Sequence, residues 1–226
     1  MPEYISKFKN GFTLAEVLIT LVIIGVIAAM TIPTAINNSK EEELKSQFKK
    51  AYSAISQALY QTEMNNFYGY VNCYYPYSLE YGTGAARCYD CFSFFREFIK
   101  NLQVEKVCNG NSLSDGCVPE YKSYNENGGC TGFSQNRINN VDNAYVLTNG
   151  QIIILYQNGA NDMVPLFLVD INGHKGPNAY GKDLFAFMIN KHSDSGLYTN
   201  SGICDFPVSG GRTTREMVQY ALAGKK

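Results

Sequence analysis

Four groups of residues in this 226-residue chain have types and spacings that could do chemistry. The first is the Gly11–Phe12 junction with Glu16 just beyond it, the one charged side chain in an apolar run from Phe12 to Ile36. Cutting that junction would free an α-amino group four residues from a carboxylate, a ready-made ion pair. The second group is seven cysteines, Cys73, Cys88, Cys91, Cys108, Cys117, Cys130 and Cys204, all placed after the apolar run. Confined to that part of the chain, they read as disulfide candidates in an oxidising compartment. Cys88 and Cys91 make a lone CxxC with no second pair at zinc-ribbon spacing, and the odd total leaves one thiol free or paired between molecules. The third group is Asp170, Asn172 and Asp183, hard oxygen donors that could close on calcium. Their spacing departs from the DxDxDG-x5-E loop, and Lys175 and Lys182 dilute the charge, so a turn-rich connection competes with the metal reading. The fourth is an enzyme's usual equipment, and here it is thin. His174 and His192 are the only histidines, and neither lies in a nucleophile motif or beside a phosphate-cradling loop. No enzyme is expected.

Glu16 must be carried by the apolar run. Phe12 to Ile32 is 21 residues, about 32 Å of helix and long enough to cross a bilayer. Lys7 and Lys9 on its near side predict a cytoplasmic N-terminus. A secretory signal would be shorter and followed by a small-residue cleavage site, for which Ala28-Ala29-Met30 is a poor substitute. A plain anchor would explain the run but not the carboxylate, because a charge near the bilayer centre costs about 2.5–3.5 kcal/mol. Paired with an amine of the same or a neighbouring chain, Glu16 would instead set the axial register of packed helices. Gly25 and Pro33 both weaken this helix, Pro33 by removing a donor and crowding the previous turn, which alone would kink it.

The stretch Lys9-Asn10-Gly11-Phe12-Thr13-Leu14-Ala15-Glu16-Val17-Leu18 resembles the prepilin peptidase site of type IV pilins and type II secretion pseudopilins. Basic leader, glycine at the cut, Phe, Thr-Leu-x-Glu and apolar helix all match, over about residues 5–36. The resemblance implies cleavage after Gly11, N-methylation of Phe12, and Glu16 as the assembly carboxylate. It also implies that the helix between Gly25 and Pro33 unwinds when the subunit leaves the bilayer. The implied partners are other pilins or pseudopilins, the prepilin peptidase/methyltransferase and an inner-membrane assembly platform. The implied place is the bacterial inner membrane, single-pass with the head outside the cytoplasm, then a surface or periplasmic filament. Major pseudopilins of the secretion branch carry a calcium loop in roughly the position of Asp170–Asp183.

The remaining elements follow from periodicity. Leu44, Phe48, Ala51, Ile55 and Leu59 recur on one helical face, with Lys45, Lys49, Lys50 and Gln57 opposite, so one helix is expected from Phe12 to about Asn66. Phe67–Tyr81 and Cys88–Phe98 crowd aromatics among cysteines, and the second stretch, continued to Val107, is expected to be a short helix carrying Phe94, Phe98 and Leu102. Strands are expected either side of Asn149-Gly150, the pair favoured in a two-residue type I′ turn, then at Met163–Val169 and Leu184–Ile189. The expected fold is α+β, a type IV pilin fold with the long helix on a small antiparallel sheet. Its divisions are a leader (1–11), a membrane and filament-core helix (12–36), its amphipathic continuation (37–66) and a head (67–226). Within the head, 67–135 reads as a Cys- and aromatic-rich insertion and 144–190 as the sheet.

Balanced charge, 19 basic against 20 acidic residues, leaves little for nucleic acid. Arg212, Arg215, Lys225 and Lys226 cluster only loosely, and basic residues do not interleave the aromatics. The expected function is therefore a structural filament subunit, against the alternative of a monomeric membrane-anchored binding domain outside the cytoplasm. A head this large suits a minor or specialised subunit as well as the main shaft. Glu16 speaks against an obligate tip subunit, which has no neighbour above it to reach.

Overall fold

The computed structural model describes residues 11–65, 89–122, 134–140, 143–156, 166–189, 197–198 and 207–223. The leader before Gly11, the aromatic stretch Phe67–Tyr81, and Cys73, Cys88, Cys130 and Cys204 lie outside these residues, as does the side chain of Cys91. Helix α1 runs Leu14–Asn65. The chain divides into two compact units, Met1–Glu43 and Leu44–Lys226.

In the first unit, none of residues 11–43 is buried. Large apolar side chains are open along the whole stretch, from Phe12 (88% exposed) to Ile36 (47%). The helix is long and apolar enough to cross a membrane. It continues through Gly25 and Pro33 without a break.

The second unit is a six-stranded antiparallel meander in sequence order among the described residues. Its strands are β1 (Val104–Asn109), β2 (Asn143–Leu147), β3 (Ile152–Leu155), β4 (Leu166–Asp170), β5 (Leu184–Ile189) and β6 (Leu197–Tyr198). The helices are α2 (Tyr89–Lys100), α3 (Gln135–Asn140) and α4 (Thr214–Ala223). Alternation along the strands feeds two cores. Ile153, Leu155, Phe167, Val169, Phe185 and Phe187 face one core, shared with Phe48, Ile55 and Leu59 of α1, Phe95 and Phe98 of α2, and Met217 of α4. Ile152, Ile154, Leu168, Leu184 and Ala186 face the other, covered by Cys117, Val118, Tyr121 and Ile138. Burial on both faces explains why Ile152–Leu155 reads as a solid apolar run rather than an alternating one. Phe48 anchors α1 edge-on to Phe185, with centroids 4.8 Å apart and planes at 80°. Burying one such ring contributes about 1.5–3 kcal/mol.

Three details differ from the sequence expectation. The helix expected to reach Val107 ends at Lys100, and Val104–Asn109 is instead the edge strand β1, inside the stretch read as an insertion. Its β-branched valines pair with β2 through a bulge between Val104 and Lys106, and Glu105 and Lys106 point outward, which blunts the edge. The strand expected at Met163–Val169 runs one residue further, to Asp170, while the part expected before Leu166 lies outside the described residues. The β2–β3 connection is a three-residue loop rather than a two-residue type I′ turn. Leu147 N donates to Gln151 O (2.8 Å), and the positive φ falls on Gly150 (83°) and not on Asn149. Asn149 Oδ1 accepts from Gln151 N instead (3.0 Å), an Asx bond that holds Asn149 in its ordinary backbone region.

Candidate functional site

Gly11, Phe12 and Thr13 form a short non-helical, exposed lead into α1. A methyl group added at Gly11 or at Gly25 would meet nothing within 4 Å, so nothing among the described residues demands glycine at either place. Helix α1 starts at Leu14 because Thr13, just before it, closes a capping box with Glu16. Thr13 N and Thr13 Oγ1 each donate to Glu16 Oε2 at 2.8 Å, and Glu16 N donates to Thr13 Oγ1 at 3.3 Å. Glu16 thus has a local structural task that the sequence reading did not assign, although Thr-x-x-Glu before an apolar run was legible as that signal. Both bonds use Oε2, so the cap does not use Oε1. Pro33 lies within α1, where neighbouring Thr31 Oγ1 donates back to Ile27 O (2.9 Å).

The second candidate site lies in the loop between β4 and β5. Asp170 and Asp183 are fully buried. Asp170 Oδ1 accepts from the backbone of Asn172 (3.0 Å) and Gly173 (2.7 Å), while Oδ2 accepts from Tyr121 Oη (2.8 Å). Asp183 accepts from Asn178 N (2.6 Å) and Ala179 N (2.7 Å). Burial first, and the neighbouring Asp183 carboxylate second, push Asp170 up to about 7. Burial also raises Asp183, against its backbone hydrogen bonds, and raises Tyr121 well above the usual phenol range. Asn172 Nδ2 donates to Gly176 O (2.8 Å), while Asn172 Oδ1 and Asn178 Oδ1 are buried without a donor among the described residues. Gly173 (φ 64°) is required here, because a Cβ would stand 2.2 Å from Gly150 O of the β2–β3 loop.

These donors fit a hard cation. A carboxylate offers about four lone-pair positions; three hydrogen bonds reach Asp170, and the Asn178 and Ala179 amides and the Asn172 side chain give Asp183 at least three. Two orphaned amide oxygens in the same loop add neutral donors of the kind calcium accepts. Sequence reasoning found Asp170, Asn172 and Asp183, and it missed Tyr121, which is 49 residues from Asp170 in the chain. Lys175 is exposed and Lys182 half-buried, and neither forms an ion pair with the aspartates among the described residues.

Cys108 and Cys117 form a disulfide, with Cα atoms 6.3 Å apart, that closes the loop after β1. The pairing of the other cysteines lies outside the described residues. His174 is exposed in a one-turn 3-10 helix, Gly173–Lys175, and His192 lies outside the described residues.

Comparison of the chain with curated proteins and with solved structures found no match. Residues 6–32 match the family model of the prokaryotic N-terminal methylation motif, a window that contains Gly11, Phe12, Glu16 and Gly25. The chain therefore carries, at its N-terminus, the prepilin-type signal of pilins and pseudopilins.

Proposed function

We propose that this chain is a structural subunit of a type IV pilus or a type II secretion-like filament. The prepilin peptidase cuts after Gly11, Phe12 is N-methylated, and subunits assemble through α1. The observation that carries this reading is an exposed, non-helical Gly11–Phe12 junction directly before a capped apolar helix, inside a matched methylation motif. A protease needs an accessible chain, and the exposed, non-helical residues 11–13 support that reading. The apolar surface of residues 14–36 would lie first in the bacterial inner membrane, with the head outside the cytoplasm, and later against neighbouring helices. Glu16 Oε1, unused by the cap, supports a pair with the new Phe12 amine of its own or an adjacent chain. Its role is structural rather than catalytic, and its partners are other pilins or pseudopilins and the assembly platform.

Mass analysis of the mature N-terminus tests this. Loss of the first eleven residues and a single methyl on Phe12 is expected; a mature protein that keeps Met1 would identify a plain membrane-anchored domain and overturn the assignment.

Calcium is proposed as a ligand of the head. Asp170, Asp183, Asn172 and Asn178 would hold it, and the ion would supply the positive charge that two buried carboxylates lack. Calorimetry with calcium on the full chain in detergent should give saturable binding that Asp183→Asn removes, with magnesium much weaker. Equal heats from both variants would refute the site.

A further inference from the structure

The 170–183 loop is closed internally, Ile171 N donating to Asp183 O (2.9 Å), and is also held from outside. Val208 N and Arg212 N donate to Tyr180 O (3.0 Å) and Gly181 O (2.7 Å), and one adjacent residue pair, Tyr121 and Lys122, reaches both Asp170 and the 178–180 segment. Tyr121 Oη donates to Asp170 Oδ2 at the start of the loop (2.8 Å). Lys122 N donates to Asn178 O (2.8 Å) and Lys122 O accepts from Tyr180 N (2.9 Å) near its end, a short parallel bridge. The Tyr121 carbonyl is held in turn by Gln135 Nε2 of α3. Tyr121 is 2% exposed and packs in the second core beside Cys117 and Val118.

The placement of this pair traces back to the disulfide. Between Cys108 at the end of β1 and Cys117, the chain doubles back through a tight loop. Cys117 N and Val118 N both donate to Ser112 O (2.8 and 3.2 Å), and Gly116 takes a positive φ of 69°. Only three residues separate Cys117 from Tyr121, so the bond to β1 sets where Tyr121 can stand. A strand of the sheet, a covalent staple and a buried phenol therefore form one path to the carboxylate.

We infer that Tyr121, set in place by the Cys108–Cys117 disulfide, is the positioning residue of the two-aspartate loop and keeps Asp170 and Asp183 in register for a cation. The cation half of this inference rests on the calcium reading above; the positioning half does not.

The experiment compares wild type, Tyr121→Phe and Cys108→Ser/Cys117→Ser, as full chains in detergent, with two readouts. In metal-free protein, hydrogen exchange is followed at the amides of Asn172, Gly173, Asn178 and Ala179, which donate to the aspartates. Both variants should exchange there about tenfold faster, the scale of losing a hydrogen bond to a charged group, while amides of Ile153 and Ile154 stay unchanged. Calcium affinity, by calorimetry, should fall about tenfold or more, as for lost outer-shell partners of a metal site. Exchange and affinity within twofold of wild type in Tyr121→Phe would overturn the inference, and that conservative variant decides alone if the double-serine chain does not fold. If wild type binds no calcium, the cation reading fails, and the exchange pattern still decides whether Tyr121 positions the loop.

Discussion

The same four-residue device heads two helices in this chain. Thr13-Leu-Ala-Glu16 starts α1, and Thr213-Thr-Arg-Glu216 starts α4. Their bonds are nearly superimposable. In each, the threonine amide donates to the glutamate Oε2 at 2.8 Å, and the glutamate amide donates to the threonine Oγ1, at 3.3 Å in one and 3.2 Å in the other. What differs is the helix that follows. Helix α4 buries Thr214, Met217 and Ala221, half-buries Val218 against the same core and turns its other residues to solvent. The first unit's part of α1 leaves Leu18, Ile19, Val22 and Ile23 all more than half exposed. Local hydrogen bonding is therefore a sufficient reason for a glutamate at both places, and the cap alone cannot make Glu16 an assembly residue. Its setting does. Glu216 is exposed, with its carboxyl held below the usual range by the Thr213 backbone amide and hydroxyl, and needs nothing further. Glu16 heads an apolar surface that water does not favour, so its unused oxygen is carried wherever that surface is buried.

The largest expected effect separates charge from cap. Glutamine closes a capping box as glutamate does, so Glu16→Gln should keep helix, insertion and leader removal while filament yield drops about tenfold or more, as when a buried ion pair loses one partner. Glu216→Gln should leave filament yield within about twofold, since an exposed side chain contributes little. Sheared-filament immunoblots read both; equal yields in the two variants would erase the distinction drawn here.

A second contrast lies within α1. Phe48→Ala empties a core position against Phe185 and Phe187 and should cost the head about 3–5 kcal/mol in urea unfolding of the detergent-solubilised chain. Ile23→Ala, on the exposed stretch, should change head stability by no more than about 0.5 kcal/mol. A comparable loss from Ile23→Ala would mean that residues 14–43 contribute to the head's own stability.

The smallest effect tests the caps themselves. Thr213→Ala should cost about 1 kcal/mol in the same unfolding measurement, and Thr213→Ser much less. Thr13→Ala should fray the start of α1, read by hydrogen exchange at Glu16 and Val17, without preventing cleavage after Gly11. Blocked cleavage in Thr13→Ala would show that the peptidase reads the cap and not only the exposed junction before it.

Much of this was legible in the chain. The Gly11–Phe12 junction, the apolar run, the amphipathic face of Phe48, Ile55 and Leu59, and the Leu184–Ile189 strand all rest on local pattern, where residue type and a short period carry the information. The errors fell where tertiary pairing overrides local preference. Val104–Asn109 continues an aromatic helix by pattern, yet pairs with β2 because the sheet offers it hydrogen bonds and a register. Asn149-Gly150 favours one turn by composition and adopts another, because the Asx bond to Gln151 moves the positive φ onto Gly150 alone.

By itself, the sequence determined that a single carboxylate sits four residues past a Gly–Phe junction at the head of a helix too apolar for water. That follows from order alone, since a motif read within one helix turn needs no distant partner. Only the tertiary structure decided how Asp170 and Asp183 are used. Their burial, the Tyr121 hydroxyl delivered from 49 residues away and the disulfide that steers it depend on contacts between segments remote in the chain. Such contacts leave no periodicity to read. They exist because a meander closed by helices brings those segments into one core, where an unmatched buried polar group costs too much to leave to chance.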